Sequence, residues 1–114
     1  MKRIYIAGPM SGLPDLNYPY FNQVAAVLRR LGHHVENPAE NPEPASKSWA
    51  DYMRMAVRQL ATCDTVVLLP NWELSKGACV EHRLAHDLGL QVVKVDQVLH
   101  LHTEPPPKVI LIHG

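Results

Sequence analysis

Glu81 is the residue whose surroundings most plainly suggest chemistry. It closes the run Val66-Val67-Leu68-Leu69-Pro70-Asn71-Trp72-Glu73-Leu74-Ser75-Lys76-Gly77-Ala78-Cys79-Val80-Glu81. An uncharged apolar stretch reads as a buried strand, and Ser75 and Gly77 after it read as the start of a helix continuing through Leu88. On that helix Gly77, Glu81, Leu84, Ala85 and Leu88 share one face, so a carboxylate stands on the stripe that should pack against a sheet. One explanation is the helix macrodipole, which favours an acid near the N-terminus by about 0.3–1 kcal/mol. The other is that the stripe opens into a ligand crevice, where a partly desolvated carboxylate serves as nucleophile or base. The Ser75 hydroxyl and the backbone N–H groups of Ser75, Lys76 and Gly77 offer an anion site sized for one phosphate. Trp72 either stacks on a base or ribose or closes its loop onto the core.

A second loop carries similar potential. The strand Arg3-Ile4-Tyr5-Ile6-Ala7 breaks into Gly8-Pro9-Met10-Ser11-Gly12, where two glycines and a serine allow close backbone approach to a ligand. Its spacing is neither a dinucleotide fingerprint nor a P-loop.

The elements that must position these residues alternate strictly. After Leu13 to Tyr18, polar and turn-rich, Pro19 suits the first turn of a helix with Phe21, Val24, Ala25, Leu28 and Leu31 on its apolar face, ended by Gly32. A short strand follows at His34 to Asn37. The segment from Asn37 to Ser46, with three prolines, reads as an irregular loop of the kind that covers a site. Ser48 and Asp51 resemble a capping box with a shorter acid. The helix after them spaces Trp49, Tyr52, Met53, Ala56, Val57 and Leu60 along one face, and Trp49 and Met53 are assigned to the core. Strands at Thr65 to Leu69 and Gln91 to Val95 complete the pattern. The order predicts an α/β domain, a doubly wound flavodoxin- or Rossmann-like parallel sheet of four to five strands with helices on both faces. In the flavodoxin-like order the first and third strands are neighbours. Their carboxyl ends would gather Tyr5, Gly8, Ser11, Gly12, Asn71, Trp72, Ser75, Gly77 and Glu81 at one crevice.

Composition narrows the partners. At 114 residues the chain is one domain, read as residues 1–96 followed by an extension, 97–114, in which Val109 to Ile112 would be an added edge strand or a subunit contact. Formal charge is zero and Lys and Arg are scattered, so no stripe for nucleic acid is expected, while a small charged ligand fits. Cys63 and Cys79 have no paired spacing and no leader precedes them, which points to the cytoplasm. No apolar run approaches the roughly 20 residues of a membrane span. His100 and His102 alternate but lack a third ligand at useful spacing, so neither metal nor cofactor is expected.

Tyr5 to Gly12, Asn17 to Phe21, Asn37-Pro38-Ala39-Glu40, Cys63-Asp64 and Trp72 to Glu81 together resemble a domain-of-unknown-function family, common in phage and bacterial genomes, of the nucleoside 2-deoxyribosyltransferase-like superfamily. The resemblance covers about residues 1 to 96. It implies that Glu81 matches the nucleophilic glutamate of transferases and deoxynucleoside 5′-monophosphate N-glycosidases, Ser75 a phosphate-binding serine, and Tyr5 the first-strand tyrosine. It favours a nucleotide over a free nucleoside, and a pocket completed across a dimer interface. One position departs: eight residues before Asp64, where those enzymes carry a proton-transferring aspartate, this chain has Ala56.

Two functions stay open. In one, Glu81 attacks C1′ of a (deoxy)ribonucleotide and a base leaves, by hydrolysis or transfer. In the other, the crevice is a non-catalytic module for a nucleotide or ADP-ribose-like ligand, as Ala56 would allow. The broad apolar surface of the Ser48 to Thr62 helix, with Trp49, Tyr52, Met53 and Met55 on more than one face, calls for a homodimer or higher homo-oligomer.

Overall fold

A computed structural model describes residues 1–100 as four parallel strands with helices on both faces. The chain runs β1 (Arg3–Ala7), α1 (Tyr18–Arg30), β2 (His34–Glu36), α2 (Trp49–Ala61), β3 (Thr65–Leu68), α3 (Lys76–Asp87), β4 (Gln91–Lys94) and α4 (Val95–His100). The sheet order is β2-β1-β3-β4, as the alternating pattern predicts. From β1 the chain winds outward to β2, then crosses back to β3 and on to β4. The winding direction therefore reverses between β1 and β3, whose pairing runs Ile4–Thr65, Tyr5–Val66, Ile6–Val67 and Ala7–Leu68.

Period-2 alternation divides the core into two layers. Ile4 and Ile6 face the side of α1 and α4, packing with Phe21, Val24, Leu28, Val67 and Val95. Tyr5 and Ala7 face the side of α2 and α3, with Ala56, Leu60, Val66, Leu68 and Ala85. The register of β1 thus sends the Tyr5 side chain toward α3. That helix presents Ala78, Glu81 and Ala85 to the interior, and the two alanines let it lie close to the sheet around the carboxylate. Leu88, expected on the same stripe, is instead 52% exposed at the helix end. The helix stops there because Gly89 adopts φ +75° and the Leu90 N–H turns back to Ala85 O at 2.9 Å.

Other local expectations are met in part. Ser48 caps α2 by accepting from Asp51 N, but the Asp51 carboxylate accepts from the Ser46 hydroxyl rather than reaching back to Ser48 N. The Asn37 to Ser46 loop contains a single 3-10 turn, Pro38–Glu40, capped by the buried Asn37, whose Oδ1 accepts from Ala39 N at 3.0 Å. α4 spans the expected boundary between residues 96 and 97 and packs Val98 and Leu99 onto the core. The run Val109 to Ile112 and His102 lie outside the described residues.

Candidate active site

A cavity of about 300 Å³ opens at the carboxyl end of the sheet, where β1 and β3 adjoin. Tyr5, Gly8 and Ser11 line it from β1 and its loop, and Ser75, Gly77, Ala78 and Glu81 from the start of α3. α2 adds Trp49, Tyr52, Met53 and Ala56, and the proline-containing loop adds Pro38 and Asn41. Ligand sites run from roughly 300 to 1,000 Å³, so this one suits a mononucleotide-sized molecule.

Glu81 and Tyr5 form its buried polar pair. The Tyr5 hydroxyl donates to Glu81 Oε2 at 2.7 Å, with Tyr5 fully buried and Glu81 6% exposed. Burial pushes the Glu81 carboxyl up from its ordinary 4.5 to about 7, against the Tyr5 hydrogen bond, which favours the charged form. Tyr5 itself is held well above the usual phenol range, first by burial and then by the neighbouring carboxylate. Glu81 Oε1 has no hydrogen-bond partner among the described residues. Glu81 lies on the interior stripe between Ala78 and Ala85, in the second turn of α3 and so beyond the first turn in which the helix dipole acts.

The start of α3, expected to offer an anion site, differs from expectation in one group. Ser75 caps α3, its Oγ accepting from Ala78 N at 3.1 Å, which leaves the hydroxyl hydrogen to donate. Its own N–H, however, is spent on Trp72 O at 3.0 Å, because the Trp72–Leu74 segment closes a 3-10 turn. The N–H groups of Lys76 and Gly77 remain without acceptors among the described residues. The two glycines of the lining matter for space. A Cβ on Gly8 would lie 2.7 Å from Leu69 Cβ, and one on Gly77 would lie 3.2 Å from Met53 Sδ.

Three of the residues singled out in the sequence stand away from the cavity: Gly12, Asn71 and Trp72 do not line it. Trp72 stacks on the His82 ring, centroids 4.2 Å apart, and packs against the core beside α3, which is the loop-closing alternative. Asn71 supplies the left-handed residue, φ +66°, that starts the 3-10 turn. Conversely, Trp49 and Met53 are not core. Trp49 is 46% exposed, both residues line the cavity, and the Lys76 ammonium lies 4.1 Å from the Trp49 ring centroid. Periodicity marks the apolar face of α2 without distinguishing a cavity from a core. Leu16 also joins the lining, carried there by Asp15, Leu16 and Asn17 at φ +51°, +54° and +61°. Consecutive left-handed non-glycine residues cost roughly 1 kcal/mol or more each, and the Asn17 amide donating to Pro9 O at 3.0 Å helps hold the turn.

Ala56, the position at which the sequence departs from the resembled enzymes, stands in the cavity wall and offers only a methyl group. Asp51 does not substitute: its carboxylate binds the Ser46 hydroxyl and Arg54 and lies outside the lining. The Cys63-Asp64 pair is structural, Asp64 accepting from Arg3 N at 3.0 Å and from the Thr65 hydroxyl at 2.7 Å where β1 and β3 begin. Among the described residues no group of three or more metal-binding side chains converges, and no helix is long and apolar enough to cross a membrane.

The fold is similar to that of a 2-desoxiribosyltransferase from Leishmania mexicana, with a TM-score of 0.64 and 25% sequence identity, over 82% of this chain and 63% of that one. This chain therefore spans less than two thirds of that protein. No curated protein matches the sequence. Residues 2–94 match the family described as a domain of unknown function, DUF4406, and the chain belongs to that family.

Proposed function

We propose that this chain is a nucleoside 2-deoxyribosyltransferase-like enzyme that breaks the N-glycosidic bond of a (deoxy)nucleoside 5′-monophosphate, by hydrolysis or by base transfer. The observation that carries this reading is the Tyr5–Glu81 pair: a buried carboxylate at a nucleotide-sized cavity, one oxygen held by a phenol and the other without a partner among the described residues. A site that only bound an anionic ligand would gain nothing from that carboxylate. Ionised, Glu81 attacks C1′ as the base departs, through an oxocarbenium-like transition state, and water or a second base then frees the glycosyl-enzyme. Tyr5 orients the nucleophile and keeps it partly ionised near neutrality despite its burial. The 5′-phosphate docks on the Ser75 hydroxyl and the Lys76 and Gly77 N–H groups, with Gly8 and Ser11 against the sugar. Gly12, Asn71 and Trp72 act on this site only by shaping its loops. Base release from a nucleotide panel, compared with Glu81→Gln, tests the reading.

Ala56 favours a second reading, a module that holds a nucleotide or ADP-ribose-like ligand without cleaving it. Binding without base release would select it. In either case the exposed Trp49 and Tyr52 on α2, beside the cavity, fit a homodimer or higher homo-oligomer with α2 and α3 at its interface.

A further inference from the structure

The cavity holds one carboxylate and, among the described residues, no lysine, arginine or histidine in its lining. Its remaining protic side chains are weak acids. The Tyr5 hydroxyl is committed to Glu81, the Tyr52 hydroxyl reaches Glu43 at 3.3 Å, and Tyr18, Ser11 and Ser75 add only a phenol and two alcohols. A neutral base leaving a glycoside takes the bonding electron pair and needs a proton, which glycosidases supply from a second carboxylic acid. Glu81 cannot be ionised nucleophile and proton donor in one step. A base that is already cationic needs no donor, because the electron pair neutralises it as it leaves.

Resting on the N-glycosidase reading, we propose that the substrates are nucleotides whose base carries positive charge before cleavage: N-alkylated purine or pyridinium glycosides. The walls support this independently. The buried Glu81 carboxylate faces a cavity whose walls include the aromatic residues Tyr18, Trp49 and Tyr52, a lining suited to a cation. The burial of Glu81 makes its attraction for a cation stronger than it would be in water. In the first step the C1′–N bond breaks with its electrons passing to the ring nitrogen, while a Glu81 oxygen bonds to C1′. Water then bonds to C1′, the ester C1′–O bond returns its electrons to Glu81, and a proton leaves to solvent. The balance is cationic glycoside plus water giving neutral base, sugar phosphate and one proton.

The test compares 7-methylguanosine 5′-monophosphate and nicotinamide mononucleotide with guanosine 5′-monophosphate, following base release by chromatography in the full-length protein. The wild type is expected to release methylguanine and nicotinamide, through Glu81, with no detectable guanine. Ala56→Asp should then gain roughly 10²-fold or more on guanosine 5′-monophosphate alone. Wild-type release of guanine at a rate comparable with the cationic pair overturns the proposal while leaving the N-glycosidase reading intact. Release from none of the three overturns the proposal, and the neutral nucleotide panel then decides the broader reading separately. The wild-type comparison stands even where Ala56→Asp fails to fold, and a folded Ala56→Asp that accelerates the cationic substrates equally contradicts the role given to the missing acid.

Discussion

The Tyr5 hydroxyl, on the first strand, donates a 2.7 Å hydrogen bond to Glu81, on the third long helix, and neither group has appreciable contact with solvent. The pair sets the ionisation of the carboxylate, and the pH dependence of stability follows from it.

Between pH 4.5 and about 7 the folded chain keeps a Glu81 proton that the unfolded chain has lost. Its contribution to stability therefore falls as pH rises through that window, and the full cost, on the order of 3 kcal/mol, is present above it. Glu81→Gln keeps the size of the side chain and removes the charge. Unfolding measured by denaturant should show the variant more stable than wild type at pH 8 and the gap shrinking toward pH 5. A gap that stays constant with pH would mean that Glu81 is not desolvated as described.

Tyr5→Phe removes the hydrogen bond that favours ionised Glu81 among the described residues. The carboxyl should move further up, shifting the acid limb of kcat/KM to higher pH by roughly 1 unit. An unshifted limb with reduced activity would assign Tyr5 to substrate contact instead.

Ser75→Ala removes a helix cap and, on the proposed function, a phosphate donor. Stability should drop by about 1 kcal/mol, and calorimetry should show a 5′-monophosphate bound roughly tenfold more weakly while the matching nucleoside is unaffected. Equal loss for both ligands would separate Ser75 from the phosphate.

Much of this architecture is legible in the sequence because it follows from short periods. Alternation in Ile4-Tyr5-Ile6-Ala7 puts Tyr5 on the opposite side of the sheet from Ile4 and Ile6, and the 3.6-residue spacing of α3 puts Glu81 on the interior face. Strand order then brings β1 and β3 together. What escapes is set by loop paths and by what a face meets. The stacking of Trp72 on His82 depends on a left-handed Asn71, and Trp49 meets a cavity and Lys76 rather than packed side chains. The turn at Val95–His100 is too short for a periodic signal.

Trp49 and Tyr52 remain exposed beside the cavity, which fits a second copy covering α2. Light scattering at micromolar concentration should give at least about twice the chain mass of 12.8 kDa. A clean monomer would remove the dimer and leave the cavity mouth open to water.

The central claim is that Glu81 is the nucleophile in cleavage of an N-glycosidic bond. Purified protein and Glu81→Gln, each incubated with a panel of neutral and cationic nucleoside 5′-monophosphates, are compared for free base by chromatography. The wild type should release base from at least one of them, with activity rising as pH passes about 7, and the variant, folded and still binding, should release none. Equal release by Glu81→Gln, or tight nucleotide binding by the wild type with no base released anywhere in the panel, would contradict it.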